Sequence, residues 1–127
     1  MQTVILNAQP LTKAAFAPYG DVIEMHGAEH FGINLDTVER FHDLADVQVD
    51  YADGGRSAIS LASVKLARSV PHTFNLIERH PKGSQAFIPM FDSPVYTVVG
   101  LKGDNPKPED LKAFVTNGQQ GFNYHKG

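Results

Sequence analysis

Several stretches of this chain set acids, imidazoles and amides at spacings that chemistry could use. In His72-Thr73-Phe74-Asn75-Leu76-Ile77-Glu78-Arg79-His80 a period of two runs through the apolar positions. Successive side chains of a strand point to opposite faces, so this pattern predicts a strand with Phe74, Leu76, Glu78 and His80 on one inward face. A carboxylate and an imidazole carried inside together need partners or a task, because an unpaired buried polar group costs about 1–3 kcal/mol. Proton transfer is the task that suits them, since imidazole titrates near neutrality. The plainer alternative is a Glu–His pair that reaches solvent past Pro81.

Other polar residues could complete such a site. The short turn Pro81-Lys82-Gly83 predicts that the run beginning Ser84-Gln85-Ala86-Phe87 pairs with the preceding strand, bringing Gln85 near Glu78 and His80. A glutamine in a barrel mouth reads an amide or a carboxylate through its donor and acceptor ends; the competing role is capping turn amides. Near the C-terminus Asn117, Gln120, Asn123 and His125 crowd around Gly118 and Gly121, with Asn123 and His125 on one strand face. That density of amides suits a small ligand rich in oxygen and nitrogen. Upstream, Arg40 and His42 alternate together, and a guanidinium clamps a carboxylate with two parallel hydrogen bonds. Pairing of Arg40 with Glu39 or Asp43 is the alternative there. His26, His30 and His72 read as loop residues.

The elements that must hold these residues are short. Period-two runs predict strands over Thr3 to Leu6, Val22 to Met25, Val38 to Leu44, Ser57 to Leu66, Thr73 to His80, Gln85 to Met90, Val95 to Leu101 and Phe114 to Asn117. Two short helices are expected, one after Thr12 as N-cap and one after Pro108 running into Leu111 to Phe114. The fold class is therefore all-β and mainly antiparallel, a sandwich or barrel with one or two short helices.

Composition narrows the chemistry. The 127 residues suit one domain, and a formal charge of −3 without a basic run excludes the electrostatic footprint of nucleic-acid binding. With Cys 0 there is no disulfide, thiolate metal site or cysteine nucleophile. Gly54-Gly55-Arg56-Ser57 lacks the spacing of a phosphate-binding loop or a serine elbow. Met1 to Ile5 lacks the features of a signal peptide and no apolar run approaches a membrane span, so a cytoplasmic protein without membrane partners is expected.

Glu78-Arg79-His80-Pro81 with Gly83 to Pro89, Phe114 to Gly118, Gln120-Gly121 and Asn123-Tyr124-His125 closely resemble the ureidoglycolate lyase family of allantoin degradation. Phe16 to Glu24 and Glu39 to Ala45 extend the resemblance over nearly the whole chain. It implies a cupin-like β-barrel over residues 1–127 as a single domain, a homodimer, and cleavage of (S)-ureidoglycolate to glyoxylate and urea. Members have also been described as hydrolases releasing ammonia, and a nickel requirement has been attached to the lyase. The family pattern continues into a Trp-His-His-Pro stretch, whereas this sequence ends at Lys126-Gly127, which implies that the family's C-terminal strands are lacking here. Asn34-Leu35-Asp36-Thr37 also departs from the family, which tends to carry a glycine-containing turn there.

On this resemblance His80 or His125 is the base and Glu78 orients it or supplies a proton. Arg40 holds the substrate carboxylate, while Gln85, Asn117, Gln120 and Asn123 bind the urea amide. With a divalent metal such as nickel, Glu78, His80 and His125 would be its ligands, and the ion would acidify the substrate hydroxyl. The rival readings are a non-catalytic small-molecule-binding cupin, the hydrolase, and a cupin isomerase or dioxygenase.

Overall fold

The structure, a computed structural model, describes residues 3–127. Met1 and Gln2, and with them part of the leader reading on Met1 to Ile5, lie outside the described residues. Among the described residues eight strands and one short α-helix form in the order β1 (Gln9–Pro10), α1 (Lys13–Phe16), β2 (Gly20–Ile23), β3 (His30–Ile33), β4 (Val38–Phe41), β5 (Gln85–Phe87), β6 (Tyr96–Val99), β7 (Lys112–Val115) and β8 (Gly121–Tyr124). Single 3-10 turns lie at Tyr51–Asp53 and Pro108–Asp110.

The strands make two three-stranded sheets, ordered β1-β7-β6 and β2-β8-β5, and a β3-β4 hairpin. All pairings are antiparallel except β1 with β7. The architecture is thus all-β and mainly antiparallel, and the described residues form no closed barrel.

Local chemistry sets the element ends. The Thr12 side chain accepts the Ala15 amide hydrogen at 3.2 Å, which caps α1 at its N-terminus, and Pro18 follows two residues after its end. α1 delivers Phe16 to the centre of the core, fully buried among Leu11, Val22, Val99, Phe114 and Phe122. Both three-stranded sheets supply that cluster, so one ring joins them. Gly20 sits where β2 crosses β8, and a Cβ there would collide with the Asn123 carbonyl.

Several expectations fail for a common reason: period two makes a strand only where a partner supplies hydrogen bonds. Residues 57–66 and 73–80 alternate well, yet neither forms a strand, and Ile59, Leu61 and Leu76 are exposed. Thr3 to Leu6 is likewise no strand. β5 therefore pairs with β8 and not with the segment before it. The Pro108 turn ends at Asp110, and Leu111 to Phe114, predicted as helix, enters β7 instead, where Phe114 packs inward. His30, read as a loop residue, lies in β3 beside Glu39.

The β3-β4 turn carries strain. Asn34, Leu35 and Asp36 all adopt left-handed backbone, with φ of 52°, 57° and 61°. Asparagine and aspartate tolerate this region, whereas a leucine there costs about 1–2 kcal/mol. Leu35 is 99% exposed, so no burial compensates. Leu35→Gly is expected to raise stability by about 0.5–1 kcal/mol after the greater chain entropy of unfolded glycine is subtracted. A urea titration reads this as a higher midpoint, and a lower one refutes the strain.

Candidate active site

β8 is the middle strand of its sheet and sorts its side chains by alternation. Phe122 and Tyr124 turn toward Phe16, with ring centroids 6.3 and 6.5 Å away. Asn123 points the other way, and His125 follows on that side just beyond the strand end. Register places Asp21 of β2 directly opposite Asn123. The three side chains meet there, as the sequence predicts for Asn123 and His125.

The meeting point is the Asp21 carboxylate. Its Oδ2 accepts from the Asp46 backbone amide at 2.9 Å, from Asn123 Nδ2 at 3.0 Å, and lies 3.0 Å from His125 Nε2. Partial burial pushes the Asp21 carboxyl upward, but the Asp46 amide, Asn123 and His125 outweigh it and hold it below the usual carboxylate range. Asn123 is almost fully buried; its Nδ2 also donates to the Asp46 carbonyl, while its Oδ1 has no partner among the described residues. The backbone amide of His125 donates to the Tyr19 carbonyl at 3.0 Å, which anchors the residue beyond the strand.

A concavity of about 550 Å³ opens beside this group, lined among others by Glu78, Arg79, His80, Gln85, Tyr124 and His125. The segment before Pro81 forms one wall, and β5 with the end of β8 forms another. Glu78 Oε1 lies 3.1 Å from His80 Nε2; the carboxylate is largely in solvent and the imidazole about one-third exposed, with side-chain values of 78% and 36%. The inward strand face expected for them does not form, because residues 73–80 join no sheet, and the pair instead stays together with its acid reaching solvent. Arg79 lines the same space and pairs with Asp104. Burial raises the Tyr124 phenol above its ordinary value, partly offset by its hydrogen bond with Thr97.

Four sequence candidates thus converge on one cavity: Glu78, His80, Gln85 and His125. The others are elsewhere or committed. Arg40 is exposed on β4, opposite Phe31, and does not line this concavity. Asn117 shapes a turn, with Oδ1 accepting the Gln119 amide hydrogen at 2.9 Å. Gln120 is buried with both ends engaged: Oε1 accepts from the Asn117 amide, and Nε2 donates to the Leu11 carbonyl and Glu24. It borders a separate hollow of about 310 Å³. Asn123 is held in the Asp21 cluster and lines neither space.

Asp21 and Arg79 escape the sequence reading for different reasons. Nothing near Asp21 in the chain marks it; only its register with Asn123 does. Arg79 lies inside a stretch already singled out, but strict alternation would turn it away from Glu78 and His80. For a divalent ion, no three His, Asp or Glu side chains converge among the described residues. Glu78 and His80 pair with each other while His125 turns Nε2 to Asp21, so these three do not fit a shared metal site.

A mainly antiparallel β protein whose cavity gathers two imidazoles, each beside a carboxylate, carries side chains of the types that proton transfer on a small molecule uses. The ureidoglycolate lyase family model matches residues 3–127. The chain is 50% identical over 122 residues to the ureidoglycolate lyase of Pseudomonas savastanoi pv. phaseolicola, covering 96% of this chain and 71% of that protein. It is 49% identical over 125 residues to that of Burkholderia cepacia, covering 98% and 70%. Against the Azotobacter vinelandii ureidoglycolate lyase the identity is 46% over 123 residues, covering 97% and 73%. The chain belongs to the ureidoglycolate lyase family.

Proposed function

We propose that this chain is a ureidoglycolate lyase, cleaving (S)-ureidoglycolate to glyoxylate and urea by general acid–base catalysis in purine breakdown. The carrying observation is that His80, beside Glu78, and His125, beside Asp21, line one concavity. The substrate is a carbinolamide, so its breakdown needs one proton removed and one supplied. His125 takes the hydroxyl proton, the O–H electron pair becomes the second bond of the aldehyde, and the carbon–nitrogen bond breaks. His80, in contact with solvent-exposed Glu78, delivers a proton to the departing urea nitrogen. The hydroxyl proton lost and the nitrogen proton gained balance, and no water is consumed.

Gln85 and Arg79, which a substrate carboxylate would draw from the exposed Asp104, are the polar side chains beside them suited to the ureide and the carboxylate. The cupin-like arrangement belongs to the same proposal, supported by two three-stranded sheets that share the Phe16 core. So does a homodimeric, cytoplasmic protein: the exposed Ile59, Leu61, Leu76 and Met90 offer apolar surface for a second copy to cover. No helix among the described residues is long and apolar enough to cross a membrane.

The deciding experiment incubates the purified chain with racemic ureidoglycolate and assays urea, ammonia and glyoxylate separately. The expected result is glyoxylate and urea in equal amounts without ammonia, with half the racemate consumed. Ammonia release would make it a hydrolase, and ligand binding without turnover would make it a binding protein; either overturns the proposal.

A further inference from the structure

We infer that Asp21 is a positioning residue that fixes the ring orientation and tautomer of His125, leaving Nδ1 as the bare nitrogen. The inference rests on the assignment of His125 as the proton acceptor and adds to it the group that makes it one.

The carboxylate is placed independently of the histidine it meets. β2-β8 register sets Asp21 against Asn123, and Oδ2 is further tied to the Asp46 amide. An ionised carboxylate only accepts hydrogen bonds, and a neutral imidazole carries one N–H and one lone pair. With Nε2 3.0 Å from Asp21 Oδ2, the proton sits on Nε2. Nδ1 is left with the lone pair and has no protein partner among the described residues. The hydrogen bonds that hold the Asp21 carboxyl low keep it ionised at neutral pH, against the upward push of burial.

The other charged side chains around the cavity pair with one another. Glu78 faces His80 and Arg79 faces Asp104, so neither acid competes for the His125 ring. When Nδ1 accepts the hydroxyl proton, the fixed negative charge at Nε2 stabilises the imidazolium formed. Asn123 belongs to the same device. Its amide group donates to both Asp21 and the Asp46 carbonyl, which locks the acid and the strand approach together. This accounts for the amide that the sequence assigns to substrate.

The test compares wild type, Asp21→Asn and Asp21→Glu by NMR of the imidazole nitrogens, steady-state kinetics and thermal unfolding. Wild type is expected to show His125 as the Nε2–H tautomer. Asp21→Asn retains an oxygen for the Asp46 amide but loses the charge. It is expected to shift the tautomer toward Nδ1–H and lower kcat about ten- to hundredfold with KM within about twofold. Asp21→Glu is expected to recover part of both. An Nδ1–H tautomer in wild type overturns the inference. So does an unchanged tautomer in Asp21→Asn, even if the variant melts earlier and turns over more slowly, because that pattern marks a purely structural acid. The tautomer is read without turnover, so a wild-type chain that releases no glyoxylate would refute the function and leave Asp21 still decidable.

Discussion

His125→Ala is expected to lower glyoxylate release by at least about a hundredfold, the lower end of what a positioned base contributes. The loss should fall on kcat, since the ring acts on a proton that moves only as the carbon–nitrogen bond breaks. Fold damage should be small. The residue lies past the end of β8, is partly exposed, and its anchoring contact to Tyr19 is a backbone hydrogen bond that alanine keeps. The side-chain contact it gives up is the one to Asp21, whose carboxylate retains Asn123 and the Asp46 amide. Circular dichroism and the unfolding midpoint should therefore stay near wild type while turnover collapses. His80→Ala gives the informative comparison: its imidazole meets a solvent-exposed acid, so water and buffer acids can replace it in part. A smaller loss, partly rescued by added imidazole, is expected there. Full turnover in a folded His125→Ala would remove this residue from the chemistry and transfer the base to His80.

What the chain reveals in its one-dimensional pattern and what it conceals divide along a physical line. Local rules are visible: Thr12 caps α1, and alternation in Asn123-Tyr124-His125 sets amide and imidazole on the side opposite Tyr124. The all-β class follows from the same alternation. Pairing is not visible, because a period of two says which way side chains point only once a neighbour exists. Residues 73–80 show the cost of assuming one. Glu78 and His80 do line a cavity, but Arg79 joins them, which a paired strand forbids. The amides mislead for a related reason. Gln120 and Asn123 look like ligand-reading groups in sequence, yet buried amides must first satisfy the protein's own backbone and acids. Gln120 is spent on Leu11 and Glu24, and Asn123 on Asp21 and Asp46. Asp21 lies 104 residues from His125 along the chain, a juxtaposition that only the β2-β8 register creates.

Phe16→Ala should be the most damaging substitution for the fold, at about 3–5 kcal/mol. Phe16 has no exposed surface and sits edge-on to Phe114, with centroids 5.3 Å apart and planes at 83°. Tyr19, Phe122 and Tyr124 surround it at 6.1, 6.3 and 6.5 Å. Phe114 belongs to one sheet and Phe122 with Tyr124 to the other, so truncation opens a void at the only aromatic cluster seen to bridge them among the described residues. α1 has four residues and cannot persist without that docking. Against a typical total of 5–15 kcal/mol, the loss should lower the melting midpoint by at least about 10 °C. Phe16→Leu, which keeps most of the volume, should cost under half as much. The consequence reaches the cavity, since Tyr124 packs against Phe16 and also lines the concavity beside His125. Phe16→Ala at temperatures where it remains folded should therefore raise KM as well as melt early. A midpoint within about 3 °C of wild type would mean that the sheets are held together by something other than this ring.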